Sequence, residues 1–105
     1  MSEDRYYAVR MLWVRDQDAW EKYQEMTKPI LARHRVQVEH WLVTEEIIGE
    51  GFDKPDLIVV TSYPSAAALE AFERDADFKN AAGLRETGAD LVTVTARSGM
   101  PPTSG

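Results

Sequence analysis

The chain has 105 residues, enough for one ordinary domain, and its hydrophobic fraction of 44% is sufficient for a buried core. A formal net charge of −6, without a run of Lys or Arg, argues against nucleic acid or an anionic membrane as a partner. The absence of cysteine excludes disulfides, thiolate metal sites and cysteine nucleophiles. A polar N-terminus and the lack of an apolar run of about 20 residues lead us to expect a cytoplasmic protein.

The first predicted element is a strand at Tyr6–Val14, which is rich in aromatic and β-branched residues and contains no Gly or Pro. Alternate residues point to opposite faces of a strand, and both faces of this one are mainly apolar. Such a strand belongs in the centre of a sheet. Arg10 is its one charge. Because a buried charge needs a partner, we expect Arg10 to pair with Glu39 or with a carboxylate of a second subunit.

A helix is predicted next, capped by Asp16 or by Asp18. Apolar residues then recur at helical spacing to about residue 35. Pro29 lies inside this pattern and removes one backbone donor, so we expect one bent helix. Residues 36–48 predict an extended segment, and residues 49–56 have the composition of a turn.

The second half of the chain also predicts a strand, a helix and a strand. Leu57–Tyr63 is the clearest strand, and Ser65 is expected to cap the helix that follows it. Residues 75–77 break this helix before a second helical piece that ends at Gly88. Residues 91–97 alternate as the last strand. Residues 98–105, with two prolines, predict a flexible tail, so that a single domain spans residues 1–97.

The order strand, helix, strand, strand, helix, strand predicts the α+β fold class. Right-handed crossovers place both helices on one face of a four-stranded antiparallel sheet, which is the ferredoxin-like βαββαβ arrangement. The other face is also apolar and has no cover within the chain. We therefore expect a homodimer that pairs through this open sheet face as a dimeric α+β barrel.

Several segments carry a resemblance to a known family. Residues 7–10 (YAVR) followed by residues 18–23 (DAWEKY) are similar to the start of the dimeric α+β barrel proteins. Residues 28–32 (KPILA) resemble the Pro-centred helix of the family called domain of unknown function 1330. Residues 55–65 (PDLIVVTSYPS) and parts of 67–85 resemble its second half. Together these segments cover nearly the whole chain except the tail.

The sequence departs from the related families at two places. Residues 34–37 (HRVQ) replace a Gly-Gly pair that the family carries after its first helix. Antibiotic-biosynthesis-type monooxygenases often carry His on the second helix, where this chain has Phe72. This difference argues against a haem-binding or His-dependent role, and we expect no cofactor. The superfamily includes cofactor-free monooxygenases, lactone isomerases, polyketide cyclases and dehydratases, so the resemblance names no single reaction.

Two residues are candidates for catalysis in a cavity between the helices and the sheet. His34 can move a proton near neutral pH, although it can equally pack on the helix edge. Arg85 lies in an otherwise apolar helical segment and matches an Arg that recurs in the family pattern. Its guanidinium can hold a carboxylate or enolate oxygen, or it can form a structural salt bridge to Glu73 or to a strand carboxylate.

Three further residues are candidates for ligand binding. Tyr7 and Trp41 are assigned to a pocket suited to a planar ligand, whereas Trp20 and Tyr23 are expected in plain core. His40 can act as a second base, provide half of a metal site, or lie at a subunit contact. Two histidines without a spaced third ligand are a weak metal signal, so no metal site is predicted.

Two functions compete at this point. The first is a cofactor-free enzyme of the isomerase, cyclase or monooxygenase type that binds a small hydrophobic, aromatic or ketonic substrate. The second is a non-catalytic dimeric module that binds a small ligand or only assembles. The two hypotheses differ in whether His34 and Arg85 point into one shared cavity.

Overall fold

The computed structural model describes residues 5–97 and confirms the predicted ferredoxin-like α+β fold. The predicted flexible tail lies outside the described residues. The elements in chain order are β1 (Tyr6–Val14), α1 (Gln17–Arg33), β2 (Gln37–Val43), β3 (Leu57–Tyr63), α2 (Ala66–Arg74), α3 (Ala76–Gly88) and β4 (Ala89–Arg97). No helix of this part of the chain is both long and apolar enough to cross a lipid bilayer.

The four strands form one antiparallel sheet in the order β2-β3-β1-β4. Strand β1 is central, as its two apolar faces predict, and Val9 lies between Val60 of β3 and Val94 of β4. A β-bulge between Val38 and His40 shifts the register of the edge strand β2. The three helices form one layer that covers one face of the sheet, and the other face of the sheet is open.

Local caps explain where α1 begins and ends. The side chain of Asp16, not that of Asp18, accepts a hydrogen bond from the Ala19 N–H at 3.1 Å. The helix continues through Pro29 and ends at Arg33, two residues before the predicted end. A Schellman-type turn closes it, and Arg35 occupies its left-handed position with φ of 59°. Glycine is usual there, which fits the Gly-Gly pair of the family pattern.

The prediction of an extended segment over residues 36–48 is wrong in its length. Strand β2 ends at Val43, because only Gln37–Val43 has a partner in β3. The connection to β3 includes Gly49 and Gly51, both with positive φ, which an alternating strand does not adopt. Its side chains Ile48 and Phe52 are 89% and 75% exposed.

The second helical region is broken at Asp75, as predicted. Ser65 caps α2 by accepting a hydrogen bond from Ala68 N–H, and Asp75 caps α3 by accepting one from Asp77 N–H. Strand β4 begins at Ala89, two residues before the predicted start, because its first residues pair with the end of β1.

The N-terminal end of α1 lies directly on the end of α3. A Cβ atom added to Gly88 would lie 2.8 Å from the backbone nitrogen of Trp20 and 2.9 Å from its Cα. The Gly88 carbonyl accepts hydrogen bonds from the N–H groups of Arg15 and Asp16 at 2.7 and 3.1 Å. The two helices therefore contact through backbone atoms at this point, and the missing side chain is a steric requirement.

The C-terminal end of α1 is fixed by charges. His34 Nε2 lies 2.7 Å from Asp75 Oδ2, and Arg33 Nη2 donates to the same oxygen at 2.8 Å. Arg33 also contacts Asp77 at 3.1 Å. The hydrogen bonds from His34 and Arg33 hold the pKa of Asp75 well below its usual range. This junction ties α1 to the loop between α2 and α3.

We predict that Gly88→Ala lowers the free energy of unfolding by about 1–3 kcal/mol, because the new methyl group can be accommodated only by shifting backbone atoms of α1. Urea denaturation followed by circular dichroism measures the change. Gly83→Ala is the matched control. Its Cβ would meet open space inside the same helix, so it should raise stability by roughly 0.5–1 kcal/mol. Equal effects of the two substitutions would contradict the steric explanation.

We predict that Asp75 stabilises the fold in a pH-dependent manner. Its folded-state pKa is lowered, so its ionic contribution is present above the unfolded-state pKa of about 3.9 and is lost as the pH falls below that value. The stability advantage of the wild type over Asp75→Asn should therefore shrink between pH 5 and pH 2, as measured by urea denaturation. Asp77→Asn is the control, since the Asp77 side chain is 63% exposed. A constant difference for Asp75→Asn would disprove this assignment.

Candidate functional site

A cavity of about 700 Å³ lies between the helices and the covered face of the sheet. Its sheet side includes the polar residues Arg10, Thr61 and Tyr63, and half-exposed Trp41 lines it from the edge strand. Apolar strand residues complete this side: Leu12, Val38, Val59 and Leu91. The helices contribute a second set of lining residues, which includes Trp20, Tyr23, Phe72, Phe78 and Arg85. This volume is in the usual range of small-molecule sites in proteins.

The guanidinium of Arg10 is held inside this cavity by two hydroxyl groups. Its Nη1 donates to Thr61 Oγ1 at 2.9 Å, and its Nη2 donates to the Tyr63 hydroxyl at 3.1 Å. Thr61 and Tyr63 are 5% and 1% exposed, so the two acceptors are fixed by the core. Both hydrogen bonds of the guanidinium thus go to the neighbouring strand β3, and the charge itself is oriented but not neutralised.

The expected pairing of Arg10 with Glu39 is wrong. Arg10 shares a strand face with Ala8 and Leu12, which are buried beneath the helices. Glu39 instead accepts a hydrogen bond of 2.6 Å from Ser62 Oγ, which belongs to the opposite face of β3. The sheet itself separates the two groups.

Neither cavity arginine has an acidic partner. Within residues 5–97, no carboxylate oxygen lies within 4 Å of the Arg10 or Arg85 guanidinium, whereas other cations of the chain do form such pairs. The alternative expectation for Arg85, a salt bridge to Glu73, is therefore not met. The cavity lining thus contains three cationic residues, Arg10, Lys28 and Arg85, and of these only Lys28 has a carboxylate partner, Glu25 at 2.9 Å.

Aromatic rings form the helical wall of the cavity. Trp20 and Tyr23 stack with centroids 5.4 Å apart at 26°, and Tyr23 continues to Phe78 at 6.4 Å. Phe78 meets Phe72 at 4.4 Å, and Phe72 meets Tyr63 at 6.0 Å. Trp20 and Tyr23 were expected to be core residues without a role in the site. They do belong to the core, but they also line the cavity. Flat ring faces suit a planar ligand.

Burial and the two arginines of the cavity both affect the pKa of the Tyr23 hydroxyl. Burial raises the pKa of the Tyr23 hydroxyl, and the nearby guanidinium groups of Arg10 and Arg85 act in the opposite direction. The phenol is therefore protonated at neutral pH and is available as a hydrogen-bond donor. Tyr23 lines the same cavity as both arginines.

The structure separates the predicted site residues. Arg85 and Trp41 line the cavity, whereas His34 does not line it and contacts Asp75 and the edge of the Phe72 ring. Tyr7 and His40 lie on the open sheet face, opposite Ser62 and Val60 of β3. His34 and Arg85 therefore do not share one cavity, so this pair does not support the enzyme hypothesis. Across residues 5–97, no three His, Asp or Glu side chains are grouped closely enough to hold a metal ion.

Thr61, Tyr63 and Tyr23 were not among the predicted site residues. Thr61 and Tyr63 are spaced two apart on β3, so they share a strand face, but the sequence does not show that this face meets Arg10. The available signal was Arg10 itself, a lone charge on an otherwise apolar central strand. A charge in that place requires polar neighbours on the adjacent strand, and β3 offers only three hydroxyl side chains.

Solved structures of other proteins share this fold. A protein of unknown function from Rhodopseudomonas palustris is 19% identical with a TM-score of 0.82, covering 95% of this chain and 86% of that one. SnoaB, a cofactor-independent oxygenase from Streptomyces nogalater, is 12% identical with a TM-score of 0.64, covering 96% and 99%. A dimeric ferredoxin-like protein of unknown function from Thermobifida fusca is 14% identical with a TM-score of 0.61, covering 93% and 94%. At these identities the similarity shows the fold alone.

No curated protein matches the sequence. The model of the family described as domain of unknown function (DUF1330) matches residues 5–98, which include every strand and helix of the fold. This match confirms the resemblance carried by the Pro-centred helix and by the second half of the chain. The chain is a member of the DUF1330 family.

Proposed function

We propose that this protein is a cofactor-free enzyme that acts on a small hydrophobic, aromatic or ketonic substrate through its enolate. The observation that carries the proposal is the unpaired Arg10 guanidinium inside an aromatic cavity. Isomerisation, cyclisation and cofactor-free oxygenation of such substrates all begin with a stabilised carbanion, so the proposal covers these three reaction types. The similarity to a cofactor-independent oxygenase supports it through the shared fold.

Electrostatics explains why Arg10 suits this role. Removing a charge from water is costly unless an opposite charge compensates it, and Thr61 and Tyr63 offer only dipoles. An enolate oxygen that forms beside Arg10, as the α-proton passes to water or to the Glu21 carboxylate at the cavity rim, would supply the missing negative charge. Donors that are already oriented towards developing charge lower the barrier without reorganisation. The hydroxyls of Thr61 and Tyr63 provide this orientation, since they fix both terminal nitrogens of the guanidinium.

Arg85 keeps its predicted role as an anion holder, because it lines the same cavity without a carboxylate partner among residues 5–97. The role of His34 as a proton shuttle has no support from its position beside Asp75. The Tyr23 hydroxyl, whose residue lines the same cavity, is the group that we assign to proton donation towards a ligand oxygen.

One observation favours the second candidate, a non-catalytic ligand-binding module. The imidazole expected to move protons is engaged outside the cavity, and the carboxylates of Glu21 and Glu25 line only its exposed rim. A cavity that binds an anion without a base inside it would be a binding site and no more. Proton exchange on a bound substrate therefore separates the two functions.

We also propose that two copies pair through the open sheet face. Apolar side chains occupy all four strands of this face: Tyr7, Val9, Met11, Trp13, Leu42, Ile58, Val60, Val92 and Val94. Val92 and Val94 are 47% and 52% exposed in the single chain. A second copy would cover these two valines. The dimeric protein from Thermobifida fusca supports this proposal.

We predict that the wild type accelerates exchange of the α-hydrogens of 2-tetralone, an aryl-fused ketone, with deuterium from D₂O. Arg10→Met should reduce the accelerated rate by about 10²-fold or more, because it removes the charge that stabilises the enolate. Proton NMR measures the exchange. Arg10→Met should leave the free energy of unfolding unchanged or raise it, since an uncompensated charge is replaced by an apolar side chain.

Arg74→Met is the matched control for this experiment, since the Arg74 side chain is 78% exposed on α2 and lies outside the cavity lining. Tyr63→Phe removes one acceptor of the Arg10 guanidinium and should cause a smaller loss of exchange. Equal exchange rates for the wild type and Arg10→Met would rule out the proposed role. Ligand binding without any acceleration would favour the binding module.

We predict that Val94→Asp converts the dimer into a monomer, because it places a charge within an apolar contact face. Size-exclusion chromatography with light scattering measures the mass. Ala71→Asp, at an exposed position on α2, is the control and should stay dimeric. A dimer that persists in Val94→Asp would show that the copies associate through another surface.

A further inference from the structure

We infer that the ligand of this cavity is a planar aromatic compound with two acidic oxygen groups, of which one binds Arg10 and the other binds Arg85. Benzene dicarboxylates and hydroxyaryl carboxylates are members of this class. The inference rests on the proposed function, because it names the substrate class of the same cavity.

The two guanidinium groups enter the cavity from different layers of the fold. Arg10 belongs to the central strand, and Arg85 belongs to α3 in the helical layer. Both are partly buried. A ligand that fills the space between sheet and helices can therefore contact one guanidinium with each end. A ligand with a single carboxylate that binds Arg10 at the sheet has no second acidic group for Arg85.

The acidic groups at the cavity rim do not neutralise these charges. Glu25 contacts Lys28 at 2.9 Å, and Glu21 accepts a hydrogen bond of 3.0 Å from the side-chain amide of Gln17. Within the described part of the chain, neither glutamate reaches Arg10 or Arg85 within 4 Å. The cavity interior thus carries two positive charges that the chain leaves uncompensated.

Charge balance favours a ligand with two negative groups. A monoanion would pair with one guanidinium and leave the other partly desolvated, which is unfavourable. Each charge-assisted fork that is formed with a carboxylate adds affinity and fixes orientation. Arg10 and Arg85 line one common cavity, together with Tyr23. The stacked and tilted rings along the helical wall favour a flat scaffold between the two acidic groups.

The cavity contains its own reporters. Trp20 and Trp41 both line it, so a bound ligand should change the intrinsic fluorescence of the protein. The probes are phthalate, isophthalate and terephthalate, which differ in the spacing of their carboxylates. Each is compared with its monoamide, which has nearly the same size and shape but one negative charge fewer. Titrations at one pH and one ionic strength give the dissociation constants.

We expect at least one dicarboxylate to bind the wild type about 10-fold tighter than its monoamide, the difference that one charged hydrogen-bonded contact provides. Arg85→Met should abolish this difference and leave the affinity for the monoamide within about twofold of the wild type. Arg10→Met should weaken binding of both probes. Circular dichroism and cooperative unfolding check each variant, and Arg85→Gln replaces Arg85→Met if that variant does not fold.

The outcomes separate this inference from the proposed function. Dicarboxylates that bind no tighter than their monoamides, or a charge preference that persists in both Arg85 variants, would overturn the two-anion ligand. The enolate role of Arg10 would remain, because it depends on the exchange assay. Lack of saturable binding by every probe would also overturn the inference, whereas exchange of 2-tetralone by the same protein would preserve the proposed function.

Discussion

Helix α1 is fixed at its two ends, and the cavity lies along the segment between these two attachments. At the N-terminal end its backbone contacts Gly88, where no side chain fits. At the C-terminal end His34 and Arg33 bind Asp75 between α2 and α3. Between these points the side chains of Trp20 and Ile30 cross the gap between helix and sheet and pack against core residues of the strands. Aromatic side chains fill part of the gap, and the remaining volume is the cavity.

This arrangement gives His34 a role that its sequence position does not indicate. Its imidazole closes the junction of three helices and contacts the edge of Phe72, whose ring then meets Phe78 in the cavity wall. The histidine thus supports the cavity through the aromatic rings and makes no contact with its interior. Asp75 combines two tasks at this junction, because one oxygen caps α3 while the other receives the ion pairs.

Strand alternation divides the sheet into two surfaces with different chemistry. On the covered face, Arg10, Thr61 and Tyr63 form a polar group among apolar neighbours. On the open face, valines of β1, β3 and β4 align in register, and Arg5, Ser62 and Glu39 form a separate polar cluster. The Arg10 charge on the covered face is oriented by dipoles alone. A charge without a counter-charge in this position does not favour stability, but it can bind an anion. The cavity and the proposed subunit contact can therefore change independently.

Local patterns in the sequence determined the elements of this protein. The alternation in β1 and β3, the cap at Ser65 and the break at Asp75 act over a few residues, and they are sufficient to predict the order that defines the fold. The length of β2 was not predictable, because a strand ends where its partner ends.

Only the tertiary structure decided which residues form the site. Both faces of β1 are apolar, so the sequence did not show which face meets the helices, and the partner of Arg10 was assigned to the wrong side. Tyr7 and His40 were assigned to the ligand site for the same reason, whereas the structure places them on the open face. Arg85 was predicted from its apolar helical segment and from the family pattern, and Trp41 from its aromatic ring; both line the cavity. The combination of Arg10 with Thr61 and Tyr63 depends on the register between two strands 51 to 53 residues apart in sequence, which no local pattern contains.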